Sequence, residues 1–237
     1  AGSRCCISIF LPGLMLTVIS RQASEADREE VRALQEAMIK TVPMEKLNER
    51  RVWRDKRLAA LAKLKRDMDN IDQLILTNDS FWGPITPLDD LFQRLKASGA
   101  DVIGLTDDQM YAPHLQSAFL AFQKPVIQSD AFQSFWNQLE LWPRKRDLIK
   151  KYEVGLPICL QKAGFKTESL YTQHANGNIL HTAWKELIEV KNFPFLKVSL
   201  LRDNPMHQEI DAWEQVISER NPVLAAQIRS QLQPPKS

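Results

Sequence analysis

Three short apolar runs in the middle of the chain have the length of buried strands, and each one adjoins a polar cluster. Residues 74–76 run into Thr77-Asn78-Asp79-Ser80, residues 102–105 run into Thr106-Asp107-Asp108, and residues 118–122 follow His114-Leu115-Gln116-Ser117. A short, continuous apolar run bounded by turn signals is typical of a strand that is buried on both faces. The pattern therefore predicts three strands with polar side chains at their ends.

Helical spacing of apolar residues surrounds these runs. Residues 88–97 predict a short helix, Ser129 predicts the N-cap of a helix that continues through Trp136, and residues 207–229 predict a helix or helix pair with a break at Asn221-Pro222. A strand, a helix and a strand in this order are typical of a βαβ unit. The predicted fold class is therefore α/β, a mostly parallel sheet flanked by helices, with a C-terminal helical part.

The N-terminal residues predict fewer features. Residues 14–19 predict a buried first strand, because Pro12-Gly13 interrupts an apolar stretch that is shorter than the ~20 residues of a membrane-spanning helix. Residues 24–42 and 45–72 predict amphipathic helices. The second of these is basic, which fits either a solvated helix face or contact with anionic lipid. The chain begins with Ala rather than Met, so we expect a fragment or a processed form.

Composition and charge narrow the class of protein. A hydrophobic fraction of 44% and a charged fraction of 25% are ordinary for a globular protein. The net charge of +2 argues against a nucleic-acid-binding protein, which usually carries a larger basic excess. Cys5, Cys6 and Cys159 fit neither a disulfide framework nor a zinc site, so we expect a reducing compartment and a cytoplasmic location.

The first two polar clusters lie where a ligand site is expected, because ligands of open α/β sheets bind outside the carboxyl ends of the strands. Asp79 could ligate Mg²⁺ together with substrate phosphates, or it could cap the following turn. Asp107 or Asp108 could act as a general base or a second metal ligand, or the two could be an exposed loop pair. His114 and Gln116 share one face of a strand and could form hydrogen bonds to a ligand.

Charged residues further along the chain provide more candidates. Glu153 follows a basic run and is a second candidate for a general base, with a surface salt bridge as the alternative. Lys197 and Arg202 could offset the charge of a diphosphate, and an arginine can bind it bidentately. The alternative for Arg202 is a structural ion pair with a residue such as Asp203.

A series of short segments between residues 71 and 205 occurs in the order found in a known family. The segments are Asn78-Asp79-Ser80, Gly83-Pro84, residues 101–106, residues 114–117, Phe119, Phe132, Phe135-Trp136, residues 152–156, residues 163–165, residues 193–197 and residues 200–205. Together they resemble the rhamnan synthesis protein F family, glycosyltransferase-like proteins of bacterial cell-surface polysaccharide assembly. A His-Tyr-Asp-type motif and an Asn-x-Gly-x-Asp-Phe-like motif of that family are missing, so we expect residues 1–70 to be divergent or truncated.

The resemblance implies a GT-A-like, Rossmann-type domain in residues 1–205, followed by a C-terminal helix or helix pair and tail in residues 206–237. It implies a glycosyltransferase that moves a deoxysugar such as rhamnose from a nucleotide-sugar donor, of the dTDP-rhamnose kind, to a polysaccharide or lipid-linked acceptor. A divalent metal, Mg²⁺ or Mn²⁺, would be held by Asp79. The catalytic candidates are Asp79, Glu153 and Asp107, and the substrate-binding candidates are Asn78, Ser80, Thr106, His114, Gln116, Lys197 and Arg202.

Two other functions remain open at this point. The missing N-terminal motifs favour a non-catalytic module that binds glycan or a partner within a larger polysaccharide-assembly protein. The basic residues 50–66 would suit an adaptor on a membrane surface, and peripheral contact with the inner membrane is compatible with either reading.

Overall fold

A computed structural model of the chain describes residues 5–11, 14–20, 71–77, 80–109, 112–138, 149–172 and 178–232. The helix predicted in residues 24–42 lies outside the described residues, as do residues 45–70 of the second predicted helix, Asn78, Asp79 and the C-terminal tail from residue 233. The last two residues of that second helix, Ile71 and Asp72, belong to a strand instead.

The described strands form one large sheet and two short ribbons. In spatial order the strands of the large sheet are β1 (Cys5–Leu11), β2 (Leu14–Ser20), β3 (Ile71–Thr77), β8 (Phe119–Gln123), β5 (Val102–Gly104) and β9 (Thr167–Ser169). The ribbons are β4 (Phe81–Trp82) with β10 (Leu196–Lys197), and β6 (Asp107–Asp108) with β7 (His114–Leu115).

The α/β class is confirmed, but the prediction of a mostly parallel sheet is wrong. Within the described sheet, β5 and β9 form the parallel pair, and every other neighbouring pair is antiparallel. Antiparallel neighbours need only a short connection, whereas parallel neighbours need a longer crossover that is usually a helix. The chain returns from β5 to β8 through the β6–β7 ribbon, so β8 lies antiparallel between β3 and β5.

Three strands of this sheet nevertheless run in the same direction. β3 and β5 are each antiparallel to β8, and β9 is parallel to β5. Their carboxyl ends therefore lie at one edge of the sheet, which we call the carboxyl edge, beside the amino end of β8. Thr77 pairs with Phe119 and Gly104 pairs with Leu120, so one strand separates the ends of β3 and β5, a distance of roughly 10 Å.

Helices cover both faces of the sheet and continue into the C-terminal part. They are α1 (Asp89–Ala97), α2 (Lys124–Ile127), α3 (Asp130–Asn137), α4 (Gly155–Lys162), α5 (Ile179–Thr182), α6 (Trp184–Glu189), α7 (Val198–Arg202), α8 (Trp213–Ser218) and α9 (Pro222–Leu232), with a π-helix (Ile149–Val154) directly before α4. Among the described residues, every helix is too short or too polar to cross a membrane.

Side chains of the central strands alternate between two cores. Leu74 and Phe122 pack with residues of α2, α3 and α4 on one face, whereas Ile75 and Ile103 pack with residues of α1, α5 and α6 on the other. Both faces of these strands are therefore buried, and for this reason their sequences are continuous apolar runs.

The C-terminal helices form a third core with the preceding part of the chain. Ile217 and Ile228, from α8 and α9, lie in one cluster with Trp184 of α6 and Leu200 of α7. Helix α9 begins at Pro222, as the predicted break at Asn221-Pro222 requires. The domain boundary between residues 205 and 206 stays a prediction.

Candidate functional site

The β6–β7 ribbon lies directly beyond the end of β5, at the carboxyl edge. Its opposing residues are Asp107 with Leu115 and Asp108 with His114. The backbone N–H of Gln116 also donates to the carbonyl oxygen of Thr106 at 2.9 Å, which extends the ladder by one pair. Because side chains alternate along a strand, one face of the ribbon carries Thr106, Asp108, His114 and Gln116, and the other carries Asp107 and Leu115.

A buried glutamine connects two side chains on the first of these faces. The Oε1 atom of Gln116 accepts a hydrogen bond from the Oγ1 hydroxyl of Thr106 at 2.5 Å, and its Nε2 atom donates to Oδ2 of Asp108 at 3.2 Å. Thr106 is 1% exposed and Gln116 is 6% exposed. The orientation of the amide follows from its partners, because a carboxylate oxygen only accepts and must face the N–H group.

His114 lies beside this network and has a defined tautomer when neutral. Its Nδ1 atom is 2.7 Å from the carbonyl oxygen of Ala112, and the side chain is 7% exposed. A carbonyl oxygen only accepts, so Nδ1 carries the hydrogen, and in the neutral ring Nε2 carries the lone pair. His114 can therefore accept a hydrogen bond from a hydroxyl group.

Two contacts fix the ribbon against the rest of the fold. The backbone N–H of Ser117 donates to Oε1 of Glu153, on the π-helix, at 3.0 Å. A Cβ atom on Gly104 would lie 3.1 Å from Cβ of Leu115, so glycine allows the ribbon to fold closely against β5. The structure therefore brings Thr106, His114 and Gln116 together and connects Glu153 to them through Ser117.

A second polar group lies where the chain leaves β3. The backbone N–H of Val198 donates to the carbonyl oxygen of Ser80 at 2.8 Å, and Lys197 pairs with Phe81 in the β4–β10 ribbon. The Nζ atom of Lys197 is 5.2 Å from the centre of the Phe81 ring, within the range of a cation–π contact. Ser80 is the last residue of the Asn78-Asp79-Ser80 motif, so Lys197 lies beside the end of that motif that the structure describes.

His181 of α5 is a buried residue near Lys197 that sequence reasoning missed. Its Nε2 atom is 2.9 Å from Oγ of Ser199, while its Nδ1 atom is buried without a hydrogen-bond partner among the described residues. Burial lowers the pKa of His181, and the positive charge of Lys197 lowers it further. No sequence motif surrounds His181, and only the fold brings it to Ser199.

Aromatic side chains separate the two polar groups. The Phe81 and Phe195 rings stack with their centres 5.2 Å apart, and the Phe119 ring lies 6.5 Å from that of Phe195. Phe119 is the first residue of β8, at the carboxyl edge. Phe119 belongs to the buried core on one face of the sheet, and Phe81 and Phe195 pack against that core.

Arg202 and Asp107 take no part in the hydrogen bonds of Gln116 that the structure describes. Arg202 is at the end of α7 with 65% of its side chain exposed, and its guanidinium binds the carboxylate of Asp203, with Nη2 2.8 Å from Oδ2. This is the structural ion pair that the sequence left open. Asp107 is half-buried on the face of the ribbon opposite to His114. Asn78 and Asp79 lie outside the described residues.

The described residues do not form a metal site by themselves. In the part of the chain that the structure describes, no group of three or more His, Cys, Asp and Glu side chains is arranged to hold a metal ion. Mg²⁺ often uses only one or two carboxylates together with substrate phosphates.

Comparisons with known proteins give one family and partial relatives. A family model described as Rhamnan synthesis protein F matches residues 18–221. Uncharacterized protein y4gN of Sinorhizobium fredii is 35% identical over 123 residues, which cover 50% of this chain and 31% of that protein. Virulence protein VirA of Vibrio anguillarum is 24% identical over 170 residues, which cover 58% of this chain and 54% of that protein. The chain spans about half or less of the length of these curated relatives. No solved structure matches it.

Proposed function

The chain belongs to the rhamnan synthesis protein F family, and on this basis we propose that it is a glycosyltransferase of rhamnan or related polysaccharide synthesis. It transfers a deoxysugar such as rhamnose from a nucleotide-sugar donor to a polysaccharide or lipid-linked acceptor. A GT-A-like arrangement of the sheet is part of this proposal.

The common direction of β3 and β5 is the observation that supports it most directly. Both strands end at the carboxyl edge, so Thr77 at the end of β3 and the ribbon after β5 lie on the same side of the sheet. Ligands of open α/β sheets bind at such an edge, in a crevice outside the strand ends. In this proposal the donor binds on the β3 side of the carboxyl edge and the acceptor on the ribbon side.

The two polar groups suit different parts of the substrates. Lys197, beside Ser80, carries a fixed positive charge that would offset the charge of the donor diphosphate. Asp79 precedes Ser80 and is the candidate for holding a divalent metal with the same phosphates, with Asn78 beside it. The ribbon face with His114 and Gln116 offers hydrogen-bonding groups suited to the hydroxyls of an acceptor sugar.

Transfer is tested with the purified chain, dTDP-rhamnose and related nucleotide-sugars, in Mg²⁺, in Mn²⁺ and with a chelator. We expect Asp79→Asn to abolish transfer and donor hydrolysis. Asp130→Asn is the matched control, because Asp130 is exposed in the first turn of α3, away from the carboxyl edge. Equal activity of the two variants would remove Asp79 from the mechanism.

The second candidate is a non-catalytic module that binds glycan or a partner. The missing family motifs in residues 1–70 favour it, because they leave the chain without segments that family members carry. Calorimetry separates the two functions. A chain that binds oligosaccharide but no nucleotide-sugar at any metal concentration would be a module and not a transferase.

A further inference from the structure

We propose that Asp108 is the general base of the transfer, and that Thr106 and Gln116 are positioning residues that hold its carboxylate. This inference rests on the proposed function and assigns the proton-accepting role at the same site. The sequence offers this role to either Asp107 or Asp108, with Asp107 among the catalytic candidates; the inference assigns it to Asp108.

The hydrogen bonds of Gln116 form the first step of the argument. Its amide is held at both ends, by the Thr106 hydroxyl at Oε1 and by the Asp108 carboxylate at Nε2. Thr106 and Gln116 are both more than nine-tenths buried. A buried amide with a partner at each end cannot turn without losing one of them, so the N–H that points at Asp108 has a fixed direction. The carboxylate is thereby pre-organised, as a catalytic group must be.

The register of the ribbon decides between the two neighbouring aspartates. Asp107 pairs with Leu115, and its side chain projects from the face opposite to the network. Asp108 pairs with His114 and shares the face from which the polar side chains project. Asp108 is half-buried, so an acceptor hydroxyl on this face can reach its carboxylate.

The proposed step balances without any further reactant. The Asp108 carboxylate takes the proton of the acceptor hydroxyl while the acceptor oxygen forms a bond to the anomeric carbon of the donor sugar. The bond between that carbon and the diphosphate oxygen breaks, and its electron pair leaves with the nucleoside diphosphate. Asp108 is then a neutral carboxylic acid and returns the proton to water. Because attack and departure occur on opposite sides of the anomeric carbon, its configuration inverts.

The first experiment compares Asp108→Asn with Asp107→Asn, the same change at adjacent positions. We expect Asp108→Asn to lower kcat/KM for transfer by about 100- to 1,000-fold, in the range of general-base contributions. Donor affinity measured by calorimetry should be unchanged, because this carboxylate contacts the acceptor. Asp107→Asn should transfer sugar at the wild-type rate. Equal rates for the two variants, or a larger loss with Asp107→Asn, would overturn the assignment.

The second experiment tests the positioning residues. Thr106→Val keeps the shape of the side chain but removes the hydroxyl that holds Gln116, whereas Thr106→Ser keeps the hydroxyl. We expect Thr106→Val to lower kcat with an unchanged donor Kd, and Thr106→Ser to restore it. If Thr106→Val lowers only the urea midpoint, and kcat per folded molecule stays at the wild-type value, the network is structural and the positioning role is wrong.

Failure of this inference differs from failure of the proposed function. A wild-type chain that binds no donor and transfers no sugar removes both. An active wild-type chain with a fully active Asp108→Asn variant, or with a retained anomeric configuration in the product by NMR, removes only the role of Asp108.

Discussion

The carboxylate of Glu153 accepts a hydrogen bond from the backbone N–H of Ser117, with 3.0 Å between Oε1 and the amide nitrogen. Ser117 lies between β7 and β8, and Glu153 lies on the π-helix before α4. The bond therefore fixes the end of the β6–β7 ribbon relative to a separate part of the chain. From the sequence, Glu153 is a candidate general base; its partner in the structure favours an anchoring role.

Substitution of Glu153 by Gln and by Ala distinguishes an anchor from a base. Gln keeps an oxygen that accepts from Ser117, so Glu153→Gln should retain most transfer activity and stability. Glu153→Ala removes the acceptor and should lower the free energy of unfolding by about 1 kcal/mol, the net contribution of a hydrogen bond. Transfer rates and urea denaturation of both variants check this. A Glu153→Gln variant that is stable but inactive would return Glu153 to the candidate bases.

Local elements of the described fold could be predicted from the sequence because short-range patterns determine them. The apolar runs mark β3, β5 and β8, and the helix predicted over residues 88–97 is α1. The predicted N-cap is confirmed, since Oγ of Ser129 accepts from the backbone N–H of Phe132 at 3.2 Å. Such signals involve neighbours in the chain, and a single sequence contains them in full.

The direction and order of strands could not be predicted, because they depend on pairing between distant residues. Residues 114–127 predict one strand that turns outward at Lys124-Pro125, whereas the structure divides them into β7, β8 and α2, with β8 ending at Gln123. Pro12-Gly13 predict an interruption, but the segments on either side pair as the β1–β2 hairpin, with Leu11 opposite Leu14. Pro-Gly is a general turn or loop signal, so it does not by itself distinguish a hairpin from an interruption.

The candidate site could be predicted only where it depends on residues that are neighbours in the chain. The shared face of His114 and Gln116 follows from alternation along one strand and needs no partner strand. Which aspartate joins them depends on the register between β6 and β7, which pairs Asp108 with His114. A single sequence does not determine that register, because a one-residue slip exchanges the faces of the two aspartates.

The stability of the protein should depend on the protonation of His181. Burial and the positive charge of Lys197 lower its pKa from the ordinary value of 6.5, so the folded state favours the neutral ring. Below about pH 6.5 the unfolded chain then binds more protons than the folded chain, and the free energy of unfolding falls as the pH decreases towards the lowered pKa. Above pH 6.5 the contribution of His181 is fully present and constant.

Urea denaturation between pH 7.5 and pH 5 tests this dependence. His181→Asn should reduce the fall in the free energy of unfolding over that range, whatever its effect on stability at pH 7.5. His207→Asn is the matched control, since His207 is exposed and its positive φ of 49° suits asparagine. An unchanged pH dependence in His181→Asn would show that other groups cause it.

Gly83 should tolerate no side chain, because β4 and β10 pack closely at this position. A Cβ atom there would lie 2.5 Å from Cδ1 of Phe195 and 2.8 Å from the carbonyl oxygen of Pro194. Gly83→Ala should lower the free energy of unfolding by about 2 kcal/mol, as overpacking typically does. Gly99→Ala is the control, since nothing lies within 4 Å of its added Cβ, and it should be neutral or stabilise by up to ~1 kcal/mol. Equal urea midpoints for the two variants would contradict the close packing.

Tyr171 has a buried hydroxyl that stabilises nothing in the described structure. The Tyr171 ring packs edge-on against Phe193, with 5.0 Å between ring centres. The guanidinium carbon of Arg94 lies 5.3 Å from the centre of the Tyr171 ring. The hydroxyl is buried without a hydrogen-bond partner among the described residues, and burial raises its pKa. Tyr171→Phe keeps both ring contacts and removes an unpaired polar group, so the free energy of unfolding should stay equal or rise by about 1 kcal/mol.

Urea denaturation of Tyr171→Phe measures this change, with Phe193→Ala as the contrasting variant. Phe193 is buried against the same ring, so its truncation should lower the free energy of unfolding by about 3 to 5 kcal/mol. If Tyr171→Phe instead destabilises the protein by more than ~1 kcal/mol, the hydroxyl makes a hydrogen bond that stabilises the fold. Because Tyr171 follows β9 at the carboxyl edge, such a result would add a polar group to that edge.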